Sequence, residues 1–258
     1  MVAGMADRLD GTVALVTGAS SGIGEATARE LAAQGAAVAV AARRRDRLDA
    51  LAAGIEDAGG RALVLEADVT DTEQARATVQ RTVDELGRLD TVINNAGVML
   101  LGPAVGAPAE EWDRMVALNV GAVLHVVHAA LPHLIAAAED GPRRVADLVN
   151  ISSVAGRRAT AGSAVYNLTK FGVGAFSESL RQELASRHVR VSLVEPGAVD
   201  TELPLHLRAE IREQAAERFR GVERLEAADI ADAIAYIITR PRRMAVNEML
   251  VRPTQQEN

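Results

Sequence analysis

The chain of 258 residues contains no cysteine. Disulfide bridges, thiolate nucleophiles and cysteine-held metal centres are therefore excluded. Aromatic residues make up only 2% of it, so its core has to be built from Ala, Val, Leu and Ile. Basic residues are scattered or in short runs and the net charge is −7. A nucleic-acid partner, which calls for a concentrated basic face, is not expected. The stretch Met1–Asp10 is polar and lacks the apolar segment of a signal peptide, so a cytoplasmic protein is the expectation. One long segment, Asn119–Ala138, has no formal charge, but it holds Pro132 and three histidines, His125, His128 and His133. That composition predicts a helix buried inside the protein or in a subunit contact, with no membrane partner. No cysteine or carboxylate is grouped with the histidines, so no metal site is expected.

What is present is an alternation of short apolar runs and helical stretches. Val13–Thr17 reads as a strand, and Gly18-x-x-x-Gly22-x-Gly24 follows it directly, opening a helix that Gly35 ends. Glycines let the backbone approach a pyrophosphate, and the amides of a helix N-terminus favour its charge. The spacing is a variant of the Gly-x-Gly-x-x-Gly fingerprint, and a plain glycine-rich turn is the alternative. A second strand, Ala37–Ala42, runs into Arg43-Arg44-Arg45. In NAD-binding folds a carboxylate stands roughly 20 residues past the glycines to hold the ribose 2′-hydroxyl. Arginines in that place point to a 2′-phosphate and hence to NADPH, with Ser20 or Ser21 as an added hydroxyl. A solvated basic helix start is the competing explanation.

Further along, a helix over about 46–58 and a strand at Arg61–Glu66 lead to Asp68-Val69. Asp68 either lies near an adenine or caps the next helix, Thr72–Leu86. A strand at Leu89–Ile93 enters Asn94-Asn95-Ala96-Gly97, and Glu110–Ala138 reads as one helix with Asn119 inside it, a poor interior residue unless it has a partner there. Three strand–helix units in a row predict a parallel sheet with helices on both faces, in a single domain without repeat or linker. The fifth strand ends just before Ser153. Val189–Val194 is a sixth strand, Glu202–Arg224 a charged segment helical in composition that is placed to cover a ligand as a lid, and Glu248–Val251 a last short strand.

Tyr166 and Lys170 stand one helical turn apart on one face. Ser153, at a strand's carboxyl end, is where open α/β sheets bind ligands. A phenol can pass a proton to a carbonyl oxygen, a serine hydroxyl can hold that oxygen, and a nearby ammonium is expected to lower the phenol from its usual value of about 10. Taken alone, the pair is also what an ordinary helix carries. Met99, Leu100 and Leu101 are candidate apolar pocket residues, and Arg157 and Arg158 candidate partners of a substrate carboxylate, with surface roles as the alternative.

Thr17-Gly18-x-x-x-Gly22-x-Gly24, Asp68, Asn94-Asn95-Ala96-Gly97, Asn119, Ser153, Tyr166-x-x-x-Lys170 and Pro196-Gly197 together resemble the short-chain dehydrogenase/reductase family over nearly the whole chain. Ala41-Ala42-Arg43-Arg44, the run from Gly97 to Gly102, Thr169–Val173 and Asn247–Thr254 look like a bacterial group that includes clavulanic-aldehyde reductases and NADP-dependent 3-hydroxy-acid dehydrogenases. The resemblance implies a doubly wound Rossmann domain with seven parallel strands. It implies Tyr166 as general acid, Lys170 on the nicotinamide ribose, Ser153 on the carbonyl, and Asn119 opening its helix around a water. It implies NADP(H) held by Gly18, Ser20, Ser21, Gly22, Ile23, Gly24, Arg43, Arg44, Asp68, Val69, Asn95, Ala96, Gly97, Tyr166, Lys170, Pro196, Gly197, Val199 and Thr201. The expected partners are a small carbonyl substrate and further copies of the chain, as dimer or tetramer. The function implied is reduction of an aldehyde or ketone. Oxidation of an alcohol or 3-hydroxy acid is the alternative, and a non-catalytic NADPH sensor a third. A Val-Asp-Gly-Gly ending seen in many members is absent, and Glu139–Ala146 looks longer and more polar than in close relatives.

Overall fold

The computed structural model describes residues 9–257, so most of the polar N-terminal stretch lies outside the described residues. Its centre is a seven-stranded sheet in the order β3-β2-β1-β4-β5-β6-β7, with every pairing parallel. The strands are β1 Val13–Thr17, β2 Ala37–Ala42, β3 Arg61–Glu66, β4 Thr91–Asn94, β5 Ala146–Ile151, β6 Val189–Pro196 and β7 Glu248–Val251. β1, β4 and β6 are buried along their whole length because helices cover both faces; β1 reads as an apolar run, whereas β6 buries Arg190, Ser192 and Glu195 among its apolar residues. The helices are α1 Gly22–Ala33, α2 Arg45–Asp57, α3 Thr72–Leu86, α4 Ala109–Val116, α5 Ala122–Asp140, α6 Ala164–Leu184, α7 Ala209–Arg218 and α8 Ala227–Thr239. Apolar residues of α3, α5 and α6 form the core on one face, and those of α1, α2 and α8 the core on the other.

The chain order reverses between β1 and β4. At such a switch point the loops leaving the two strands diverge to opposite faces and leave a crevice at their carboxyl ends. The glycine loop leaves β1 there, and Asn95–Gly97 leaves β4.

Two stretches differ from expectation. Glu110–Ala138 is not one uniform helix: α4 and α5 are joined by a π-helical turn, Ala117–Gly121, with buried Asn119 inside it. Among the described residues Ala109–Asp140 is the segment long and apolar enough to cross a membrane. Here Val123, Val126, Val127, Ala130 and Leu134 are buried in the core. The segment 202–224 is helical only over α7, preceded by a short 3₁₀ turn, Leu203–His206. Pro204 stands at the start of that turn, and the extended Leu207 separates it from α7.

At the amino ends of β5 and β6, Asp147 is 1% exposed and receives Arg190 through Nε at 2.7 Å and Nη2 at 2.9 Å, and Arg143 through Nη1 at 3.1 Å. Arg190 also donates to the carbonyls of Ile238, Arg240 and Met244, tying the sheet to the end of α8. Removing one member of a buried pair strands the other charge. Arg190→Met is therefore expected to cost about 3 kcal/mol of stability, read from urea unfolding. An unchanged midpoint would mean that Arg143 alone satisfies Asp147.

Candidate active site

Two loops are stitched together at the switch point. Asn95 Nδ2 donates to the carbonyls of Thr17 (3.0 Å) and Gly18 (3.2 Å), and Thr17 Oγ1 accepts from the amides of Asn95 (3.1 Å) and Ala96 (3.2 Å). Gly18 has φ +66, and a Cβ there would stand 2.8 Å from Ala96 Cα, so only glycine fits. A Cβ on Gly24 would stand 2.4 Å from Gly18 O. Gly24 is thus packed behind the loop, letting α1 approach it, and does not face the cleft. Gly18, Ser20, Ser21, Gly22 and Ile23 do line the cleft, whose volume is about 720 Å³. Asp68, Val69, Asn95, Ala96, Gly97, Pro196, Gly197, Val199 and Thr201 line it as well.

At one end of this cleft lie the arginines. Arg44 donates from Nε and Nη2 to Ser20 Oγ (3.1 and 2.9 Å) and from Nη2 to Ser21 Oγ (2.8 Å). Arg43 lines the cleft and its charge acts on Asp68. Asp68 does not cap a helix: Asp71 caps α3, accepting from the Gln74 amide at 2.8 Å. Asp68 Oδ1 instead accepts from the amide and hydroxyl of Thr70 (3.0 and 2.7 Å). Burial pushes this carboxyl up, but the Thr70 bonds and Arg43 outweigh it and leave it below its ordinary value.

At the other end, α6 carries Tyr166 and Lys170, 6% and 7% exposed. Lys170 Nζ donates to the carbonyl of Ile151 at the end of β5 (2.9 Å) and stands 5.7 Å from the centre of the Tyr166 ring. Ser153 caps a 3₁₀ turn, Val154–Gly156, accepting from the Ala155 amide at 3.1 Å, and its hydroxyl is hydrogen-bonded to Tyr166. Asn119 lies behind the cleft. Its Oδ1 accepts from the Val98 amide (2.8 Å), and its Nδ2 donates to Val98 O (2.9 Å) and Thr169 Oγ1 (3.2 Å). The π turn is what lets this side chain turn away from the helix and hold the backbone of Val98 after Gly97.

The expected lowering of the phenol by the ammonium is not what the structure has. Burial pushes Tyr166 up to about 12, and the Ser153 hydrogen bond offsets only part of that. Burial also brings Lys170 down to about 8. The reason is geometric: Lys170 reaches the β5 carbonyl past the ring rather than the phenol oxygen. Tyr166 is therefore neutral and able to donate a proton across the physiological range.

Other candidates separate cleanly. Arg157 is not in the cleft. It donates from Nε to both oxygens of buried Glu195 (2.8 Å each) and from Nη2 to Glu248, so it cannot serve as a carboxylate reader. Arg158 does line the cleft. Met99 and Leu101 face it, whereas Leu100 is buried with Val98, Met115 and Tyr166. His125, His128 and His133 belong to no metal-holding group among the described residues. Sequence reasoning passed over Asn167, which donates to the carbonyls of Ala155 (2.6 Å) and Arg158 (3.0 Å) and so fixes the loop after Ser153. It also passed over His206, Arg212, Phe219 and Arg224, which line the outer cleft. Nothing in their local sequence distinguishes them.

The family described as short chain dehydrogenase matches residues 12–212. The chain belongs to the short-chain dehydrogenase/reductase family. It is 36% identical over 241 residues to an uncharacterized oxidoreductase of Staphylococcus epidermidis, covering 93% of this chain and 96% of that one. Among solved structures, a serine dehydrogenase complexed with NADP+ superposes with a TM-score of 0.84 at 30% identity, over 96% of this chain and 97% of that one. A metagenomic short-chain oxidoreductase in complex with NADP gives 0.79 at 35% identity, over 95% and 99%. The family's fold, a single Rossmann-like domain with helices on both sides of a parallel sheet, is the fold described above.

Lys170 holds its proton less tightly folded (about 8) than unfolded (10.5). The unfolded chain thus binds more protons between those values, and this group makes stability rise with pH across that window. Unfolding free energies of the wild type and Lys170→Met, compared from about pH 7 to about pH 10, are expected to show the wild type gaining on the order of 2 kcal/mol relative to the variant. A constant difference would mean that Lys170 is not desolvated.

Proposed function

We propose that the protein is an NADPH-dependent carbonyl reductase acting on an aldehyde or ketone of small to medium size. The observation that carries this is the neutral, buried Tyr166 hydroxyl joined to Ser153, with Lys170 one turn away, in a cleft that begins at the Gly18–Ile23 loop. The residues present fit a dinucleotide. The glycine loop presents backbone where side chains cannot stand, α1 aims its N-terminal amides at the same place, and Arg43, Arg44, Ser20 and Ser21 suit a 2′-phosphate. Asp68 and Val69 suit the adenine side, and Asn95, Ala96 and Gly97 a ribose. Pro196, Gly197, Val199 and Thr201 suit the nicotinamide amide. The NADP carried by the two solved relatives supports the same cofactor.

When bound, NADPH supplies the hydride to the carbonyl carbon. Ser153 Oγ holds the carbonyl oxygen, and the Tyr166 hydroxyl donates its proton to that oxygen as it becomes an alkoxide. Lys170 and Asn119 hold the tyrosine's surroundings in place, and the Asn119 turn is positioned for a water path toward Lys170. In reverse, Tyr166 is the base, and the same groups oxidise an alcohol or 3-hydroxy acid. The segment 202–224 covers the outer cleft and sets which substrate enters. Trp112, Val116, Leu124, Leu168 and Phe171 expose apolar surface along α4, α5 and α6, which supports a homo-oligomer formed through those helices. A soluble cytoplasmic setting suits this use of NADPH.

The test is loss of NADPH absorbance, and separately NADH, with a panel of aldehydes, ketones, 3-oxo acids and β-lactam-type aldehydes. The last two enter because of the likeness to clavulanic-aldehyde and 3-hydroxy-acid enzymes. Turnover is expected with NADPH in preference to NADH. Tyr166→Phe is expected to lower kcat by about 10²–10⁴, since it removes the general acid. Near-normal turnover by that variant would overturn the assignment.

A further inference from the structure

Glu202, the first residue past Thr201, turns back onto the arginines. Its Oε2 accepts from Arg44 Nη1 at 2.8 Å, and its Oε1 accepts from Arg47 Nη1 at 2.6 Å. Arg44 is the same side chain whose other nitrogens rest on Ser20 and Ser21. The contact bridges 158 residues of sequence. It also holds the beginning of the covering segment against the glycine loop, where Thr201 stands close enough that a Cβ on Gly22 would lie 3.1 Å from its Cγ2. The pairs are strong enough to pull the Glu202 carboxyl down to about 2. Glu202 remains ionised at any pH at which the protein works.

Resting on the NADPH reading above, we propose that Glu202 occupies the charge position of a 2′-phosphate on Arg44, so that it competes with that phosphate and couples the nucleotide's ribose end to the segment covering the substrate cleft. A phosphate monoester brings nearly two negative charges and three acceptor oxygens, against one charge and two oxygens from the carboxylate. It wins Arg44, and Glu202 is displaced together with the backbone that leads into Leu203–His206 and α7. A nucleotide lacking the phosphate leaves the Arg44–Glu202 pair intact. Glu202 thereby weakens binding of the phosphorylated nucleotide and makes the position of the lid depend on which nucleotide is bound. Arg47 keeps a hold on the displaced carboxylate through its own bond, which limits how far the segment travels.

The experiment titrates wild type and Glu202→Gln with 2′,5′-ADP and with 5′-AMP by calorimetry. It also follows trypsin cleavage at the arginines from Arg208 to Arg224 with and without each nucleotide. Glutamine keeps the shape and removes the charge. Exposed ion pairs are worth about 0.2–1 kcal/mol each, and the phosphate has to break only the one on Arg44. The variant is therefore expected to bind 2′,5′-ADP roughly two- to fivefold more tightly. Its affinity for 5′-AMP is expected to stay within about twofold. In the wild type, 2′,5′-ADP should change the cleavage pattern and 5′-AMP should not. The variant should show the changed pattern without nucleotide. If wild type prefers 2′,5′-ADP but Glu202→Gln binds it no better, the competition is wrong although the cofactor reading stands. If the affinity rises but cleavage never changes, the coupling to the lid is wrong. If wild type shows no preference between the two nucleotides, both this inference and the 2′-phosphate reading fall.

Discussion

The buried ammonium of Lys170 sets the terms for the rest of the site. A charged amine out of water needs partners, and here it finds the Ile151 carbonyl at the end of β5. That contact fixes how α6 lies across the sheet, and Ser152 Oγ, bonded to the Lys170 carbonyl at 3.2 Å, holds the same junction from the other side. Gly97 has to be small there: a Cβ on it would lie 3.3 Å from Asn119 Oδ1 and 3.9 Å from Lys170 Nζ. The π turn that swings Asn119 inward serves the same junction from α5. Gly97, Asn119, Ile151, Ser152 and Lys170 are therefore one packed unit built from four separate parts of the chain, and desolvation is the cost of that packing. The cost appears as a lysine that binds its proton weakly and a phenol that holds its proton tightly.

The cofactor end depends on a different constraint, the reversal of strand order between β1 and β4. It brings a glycine loop and an asparagine loop face to face, and the Thr17 and Asn95 side chains close the gap between them. The two ends of the cleft meet along β6, whose last residues lead into Thr201 and Glu202. One short stretch of chain thus touches the glycine loop, the arginines and the base of the lid.

Much of this was legible in the sequence. The buried strands β1 and β2 leave apolar runs, and glycine or asparagine follows β1 and β4, so the doubly wound sheet is legible in the sequence. Tyr166 and Lys170 were legible because helical spacing is local. Asn119 is legible as an anomaly, a polar residue in an uncharged helix, and the family resemblance implies that the helix opens there; what the sequence does not show is that the opening is a π turn with the side chain bonded to Val98. What escaped has a common cause: it depends on residues far apart in sequence. For Arg157 the sequence leaves both a substrate contact and a surface role open, and Glu195 and Glu248, 38 and 91 residues away, decide against the first. Glu202 looked like one charge among many in a charged segment. The direction of the Tyr166 shift depends on burial and on where Lys170 points, and neither can be read from a four-residue spacing. The break of the 202–224 segment into a 3₁₀ turn and a shorter helix lies at the extended Leu207, which the segment's overall composition masks.

Burial holds the phenol neutral until a ligand changes its surroundings. The chain has only two tyrosines, and the other, Tyr236, is partly exposed on α8 with Arg240 over its ring. A Tyr236→Phe protein therefore reports Tyr166 alone by tyrosinate absorbance. In the nucleotide-free protein the phenol is expected to ionise near pH 12, well above the ordinary value of 10. Saturating NADP+, which brings positive charge into the cleft, is expected to move that ionisation downward. Ionisation at or below the ordinary value without nucleotide would contradict the account, because Lys170 would then be acting on the phenol directly and burial would not be the controlling effect.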